Sequence, residues 1–241
     1  HGPGCPVCVL PTARLDQAIA MTDRYGLILC TYADLMRVPA SNRHSLFKAK
    51  AKGADIRMVY STQDALAIAR ANPGRQVVFF AIGFETTTPP TAVALKQAKA
   101  EGLANFSVFC NHVLTPPAMR AILASPVPEA IAIDGILGPS HVSTVIGSDP
   151  YAFVARDFAT PLVIAGFEPL DVMQASLMLI RQINEGRAEV ENQYARSVRR
   201  EGNRPAQELI QRVFKVVPRK WRGVGEIPQS GMGLAEAYAA F

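Results

Sequence analysis

Short apolar runs recur along the first two thirds of the chain, at 27–31, 56–60, 77–82, 106–110, 131–133 and 162–165. Each is continuously hydrophobic rather than alternating, which is the pattern of a strand covered on both faces. Amphipathic stretches with helical spacing lie between them, so the order of elements predicts βα units building parallel sheets under helices. Helix starts are legible too. Ser61 or Thr62 can cap a helix over 64–71. Thr88 with Pro89 and Pro90 opens one running to Lys99, and Thr115 with Pro116 opens another through Leu123. In the last two, a hydroxyl followed by proline offers a cap and a preset first turn.

Two echoes suggest an internal duplication. The run 78–85 ends in Gly83-Phe84-Glu85, and the run 162–168 ends in Gly166-Phe167-Glu168; Gly2-Pro3-Gly4-Cys5-Pro6-Val7 has a weaker counterpart in Gly138-Pro139-Ser140-His141-Val142-Ser143. The expected fold class is α/β: two related open parallel-sheet domains with flanking helices, followed by a helical and irregular carboxyl-terminal segment. Thr86 to Pro90 breaks the strand pattern, which sets the expected boundaries at 1–87, 88–175 and 176–241. From Pro218 onward Gly and Pro recur without periodicity, and an irregular tail is predicted there.

Composition narrows the class. Hydrophobic residues are 49% and charged residues 19% of the 241 positions, enough for a buried core and unlike a disordered chain. No run reaches the roughly 18 to 20 apolar residues of a membrane-spanning helix, and no signal-like block is present. Four cysteines, at 5, 8, 30 and 110, are too few and too uneven for an extracellular disulfide framework. A soluble cytoplasmic protein is expected. Its first residue, His1, leads straight into a turn, so the chain reads as a fragment. The net charge of +5 is local: residues 187–222 hold ten Lys/Arg against four Asp/Glu, or +6. Without interleaved aromatics, this basic segment reads as a solvated helix face rather than a nucleic-acid surface.

The candidate chemistry gathers after strand ends, where open parallel sheets bind ligands. Asp34, Gln63, Glu85, Thr86, Asn111, His112, Ser140, His141 and Glu168 all fall there. The strongest local signal is His1-Gly2-Pro3-Gly4-Cys5-Pro6-Val7-Cys8. Cysteines at i and i+3 in a proline-stiffened turn can form a reversible disulfide, and neighbouring thiols favour a thiolate. Redox use competes with soft-metal binding and with a purely structural role. A structural zinc site wants a second close Cys/His pair, which the sequence lacks. A thioredoxin-type site would put the pair directly at a helix start, whereas Pro11-Thr12 intervenes here. Cys30 and Cys110 read as buried small hydrophobes. His112 is balanced between facing a ligand and serving the structure, and hydroxyls beside His141 tilt it towards a cleft. Glu85 and Glu168 are suited either to a cation or to backbone amides. No Gly-x-Gly-x-x-Gly turn or Walker A loop supports nucleotide binding.

Taken together, His-Gly-Pro-Gly-Cys-Pro-Val-Cys at 1–8, Gly-Phe-Glu-Thr-Thr at 83–87, Cys-Asn-His with Thr-Pro-Pro at 110–117, and Gly-Pro-Ser-His-Val-Ser-Thr-Val-Ile-Gly at 138–147 resemble the HypD family of hydrogenase maturation factors. The resemblance implies a scaffold and redox protein, rather than a turnover enzyme, that helps assemble the Fe(CN)2CO centre of nickel–iron hydrogenases. It implies HypC as the partner holding iron, with cyanide supplied by way of HypE and HypF. Cys5 and Cys8 match the family's redox-active pair. His1, Glu85, Thr86, His112, His141, Ser143 and Glu168 are the expected ligand or cleft residues, the two histidines serving as donors to a bound ligand in an interdomain cleft. The family's Cys-Gly-Gly-His motif is expected before His1, and the cysteines of its 4Fe-4S cluster beyond Phe241, so no complete metal site is expected in this chain. A stand-alone thiol–disulfide oxidoreductase is the alternative.

Overall fold

The computed structural model describes residues 5–125 and 133–241. The chain divides into two compact units, one formed by 5–113 together with 209–241 and the other by 114–208.

In the first unit α1 (Thr12–Tyr25), β1 (Ile28–Thr31), α2 (Leu46–Ala51), β2 (Ile56–Met58), α3 (Thr62–Ala71), β3 (Val77–Gly83), α4 (Thr88–Glu101) and β4 (Phe106–His112) follow in order. The strands form one parallel sheet ordered β2-β1-β3-β4. All seven residues of β3 are buried. Its side chains alternate: Val78, Phe80 and Ile82 join Leu15, Ile19 and Leu46 in one core, leaving Val77, Phe79 and Ala81 for the opposite face. Burial on both sides is what makes the run continuously apolar. Ser61 caps α3 in a reciprocal box, accepting from the Asp64 amide while Asp64 accepts from the Ser61 amide. The two Thr-Pro starts act differently from expectation. Neither helix has a side-chain cap, and the Thr88 hydroxyl donates back to the Phe84 carbonyl. Proline alone supplies the first turn.

The second unit contains α5 (Thr115–Leu123), β5 (Ile136–Gly138), α6 (Ser140–Ile146), α7 (Ala152–Phe158), β6 (Leu162–Ile164), α8 (Pro169–Asn184) and β7 (Val190–Asn192), its strands parallel in the order β5-β6-β7. Leu162 and Ile164 pack with Met119, Tyr151 and Val154 on one face, and Val163 packs with Ala175 of α8 on the other. The strand expected at 131–133 falls at 136–138 instead; residues 131 and 132 lie outside the described set. α9 (Arg204–Val213) then leads to β8 (Phe214–Trp221) and β9 (Gly225–Leu234), an antiparallel hairpin belonging to the first unit.

Two expectations are corrected here. A boundary near residue 87 would separate β3 from β4, yet these strands pair along their whole length, and the Thr86–Pro90 break is only the start of the crossover helix. The tail is not irregular. Pro218 sits at the register shift between Val217 and Arg219, where a ladder tolerates a missing N–H. The hairpin covers the sheet's open edge at β4: Val113 bridges to Gly231, and the Val108 amide donates to the Phe241 carbonyl at 2.5 Å.

The basic segment is likewise no single helix face. Arg187 pairs with Glu185, Glu189 and Glu191, Arg196 with Glu168 and Asp171, and Arg200 with Asp149. Three of its ten cations, Arg187, Arg196 and Arg200, thus pair with acids outside the segment.

Candidate functional site

Cys5 and Cys8 are joined by a disulfide across a Cα–Cα distance of 5.3 Å. The turn that brings them together is closed by the Cys8 amide, which donates to the Cys5 carbonyl at 3.2 Å and lies 3.1 Å from Cys5 Sγ. Cys5 is half-buried and Cys8 exposed. The loop is fastened on its far side. Leu10 enters the core at 4% exposure, Pro11 precedes α1, and the Val9 carbonyl accepts the Arg222 amide at 2.7 Å. The pair is therefore held on a short, doubly anchored turn with Cys8 on its exposed side. His1 lies outside the described residues.

Cys30 and Cys110 are both buried, as expected of small hydrophobes. Burial pushes the Cys30 thiol up to about 12, and burial likewise raises Cys110, whose Sγ approaches the Met232 carbonyl at 3.3 Å. Both are inert thiols at neutral pH. Among the described residues no three His, Cys, Asp or Glu side chains converge as a metal site. Two bonded and two separately buried cysteines do not fit a four-thiolate cluster.

His112 faces no cleft. It is 1% exposed, its Nε2 lies 3.0 Å from the Thr91 hydroxyl, and its ring stands edge-on to Phe214. Burial drops its pKa to about 4, so it is neutral and structural. A strand end can point into the core as readily as out of it, which is why the sequence left both roles open. Glu85 is also buried, at 3%, in the turn after β3, with Thr86 half-buried beside it. Ser143 is wholly enclosed; its hydroxyl donates to the Pro139 carbonyl and lies 3.3 Å from the Tyr151 hydroxyl. These bonds serve the first turn of α6 rather than a ligand.

His141 and Glu168 are exposed, the first just after β5 and the second just after β6. The His141 ring stacks on Phe167 with centroids 3.9 Å apart. Glu168 binds Arg196 at 2.7 Å, and Arg196 also grips Asp171 and lies over the Tyr194 ring. Asp171 accepts from Gln193 at 2.9 Å, and these donors, Arg196 foremost, hold its carboxyl well below the usual range. The two Gly-Phe-Glu echoes each stand at the carboxyl end of an inner strand, β3 in one sheet and β6 in the other. At Gly83 (φ 142°) a Cβ would fall 1.7 Å from the Thr87 hydroxyl oxygen, and at Gly166 one would fall 2.1 Å from Asp171 Oδ2. The glutamates nevertheless differ, one sealed and one open.

Sequence reasoning passed over Arg14 and Arg219. Both donate to the Cys110 carbonyl, at 3.3 and 3.1 Å, although they are more than two hundred residues apart. Nothing local marks them, because their meeting depends on α1 and the hairpin closing over the end of β4.

The family described as "HypD: Hydrogenase formation hypA family" matches residues 1–241. The chain is 62% identical to the hydrogenase maturation factor HypD2 of Bradyrhizobium diazoefficiens and 61% identical to the hydrogenase maturation factor HypD of Azotobacter vinelandii. It is 50% identical to the hydrogenase maturation factor HypD of Escherichia coli. In each comparison all of this chain is covered, and it spans 64% of the relative's length. With the cysteine loop and both Gly-Phe-Glu strand ends in place, the chain belongs to the HypD family.

Proposed function

We propose that this chain serves the maturation of nickel–iron hydrogenases as an assembly scaffold whose Cys5–Cys8 pair moves electrons while iron receives two cyanides and one carbon monoxide. HypC is the partner that shares the iron, and HypE, charged by HypF, supplies cyanide. Iron is cargo on this reading. The carrying observation is the disulfide itself: two sulfurs bonded on an anchored turn with Cys8 exposed. The names of the curated relatives support it.

Cyanide and carbon monoxide bind low-spin iron(II), so assembly needs reducing equivalents close by. Two thiols closing to a disulfide release two electrons and two protons, at a potential set by the stability of the bond. The stiff turn keeps the sulfurs in reach of each other throughout. Any 4Fe-4S cluster on this reading is held by residues outside this chain, because its own four cysteines do not make the ligand set. The expected setting is the cytoplasm; among the described residues no helix is long and apolar enough to cross a membrane.

Cys5→Ala and Cys8→Ala in the full-length protein test the proposal. Hydrogenase maturation should be abolished in both while the protein keeps its fold and still captures HypC. Normal maturation in either variant rejects the redox role. The exposed Cys8 also favours a second reading, a stand-alone thiol–disulfide oxidoreductase. That reading requires catalysed reduction of a generic protein disulfide without HypC.

A further inference from the structure

A groove of about 360 Å³ in the first unit runs beside the cysteine loop, lined in part by Pro6, Val9, Arg14, Asn111, Arg219 and Lys220. Its charge is out of balance. The lining holds three cations and one carboxylate, Glu226, for a net charge of +2. Several arginines of the molecule sit against acids, as Arg57 does on Asp55 and Arg200 on Asp149. Arg14 and Arg219 do not.

The acceptors around these two side chains are all neutral. Arg14 donates to Asn111 Oδ1 at 2.5 Å, to Gln17 Oε1 at 2.8 Å and to the Cys110 carbonyl. Arg219 donates to that same carbonyl and to the Met232 carbonyl at 2.6 Å. Among the described residues no carboxylate comes within 4.0 Å of either guanidinium. Arg219 Nε–H is enclosed and has no hydrogen-bond partner there. Burial, and secondly the facing Arg219, lower the pKa of Arg14, as expected where two like charges share one carbonyl. Uncompensated charge held partly out of water is costly unless something neutralises it.

We propose that this groove binds a small carboxylate ligand, its carboxylate set against Arg14 and Arg219 and its apolar portion against Val9 and Pro11. Planar guanidinium groups match a carboxylate in shape and charge. The volume lies at the small end of ligand pockets, suiting a molecule of a few carbons rather than a nucleotide. The site stands independently of the redox reading, since its charges are present in either state of the cysteines. Because Pro6 lies between Cys5 and Cys8 and Val9 follows Cys8, the ligand would rest against the loop that carries them.

The test uses the whole chain labelled with ¹⁵N-arginine, titrated with succinate and separately with the neutral analogue succinamide at constant ionic strength. Succinate should move the Arg219 Nε–H resonance saturably and succinamide should leave it in place. Arg219→Gln should weaken succinate binding at least tenfold, measured calorimetrically. Exposed Lys220→Gln, a milder change, should weaken it several-fold, so the question is answered even if the first variant does not fold. Absence of a saturable succinate response, an equal response to succinamide, or wild-type affinity in Lys220→Gln would overturn the proposal.

Discussion

Gly231 lies directly beneath the Arg219 side chain: a Cβ added at 231 would stand 1.9 Å from Arg219 Cγ and 3.0 Å from its Cβ. The contact falls on the root of the arginine, which cannot swing aside as a side-chain tip would. Glycine there is what lets Arg219 cross β9 and reach the Cys110 carbonyl. Gly231→Ala should therefore cost about 1–3 kcal/mol, the usual penalty of overpacking. Gly74→Ala, which meets nothing within 4 Å, should stay within about 0.5 kcal/mol. Urea unfolding of the two variants checks the difference; equal stabilities would contradict it.

The strand-end glycines make a matched pair. Gly83→Ala must displace the Thr87 hydroxyl and also carries a positive φ, while Gly166→Ala pushes into the Asp171 carboxylate and the Tyr194 ring. Both should destabilise by about 1–3 kcal/mol. Gly166→Ala should in addition alter the near-ultraviolet circular dichroism of Tyr194 and leave α1 to α4 intact by hydrogen exchange.

His112 gives the fold a pH dependence of known sign. Its folded-state pKa, about 4, lies below the ordinary value of 6.5, so the unfolded chain takes up the proton more readily. The stability contributed by the neutral ring is fully present above pH 6.5 and is lost as pH falls towards 4, by about 3 kcal/mol at most. Asp55 and Asp157, held at about 2 chiefly by hydrogen bonds from Arg57 and Arg156 respectively, titrate below that window. Chemical denaturation at pH 7 and pH 5 should show a larger loss in the wild type than in His112→Gln. Parallel losses would remove His112 as the cause.

The cysteines should fall into two classes. After mild reduction of the native protein, Cys5 and Cys8 should both take up iodoacetamide within minutes, whereas Cys30 and Cys110 should react only when the protein is unfolded. Peptide mass spectrometry reads this directly. Labelling of Cys30 in the native state would contradict its burial.

Much of the sheet architecture was legible because parallel strands buried on both faces must be apolar throughout; 77–82 and 106–110 are nearly the observed β3 and β4. β7 was not, since Val190-Glu191-Asn192 is a half-buried edge strand with no apolar run to betray it. The hairpin was hidden by the residues that make it work. Pro218 occupies its irregularity and Gly231 and Gly233 make room for Arg219 and Val217, so signals that usually mark a loop lie inside paired strands. At the candidate site, the spacing of Cys5 and Cys8 marked them as able to bond, while leaving metal and structural uses open. The burial of His112 and Ser143 was not, because it depends on Thr91, Phe214 and Tyr151, which no local pattern connects to them.

The hairpin's return to β4 makes the first unit discontinuous in sequence, with the whole of 114–208 inserted between its two pieces. During synthesis the sheet's open edge must wait for about a hundred further residues before its cover emerges, a long closure that slows folding and leaves a strand edge bare in the meantime. Newly made chains should consequently be most prone to aggregate after β4 has left the ribosome and before β9 has, making that interval the natural point for chaperone protection.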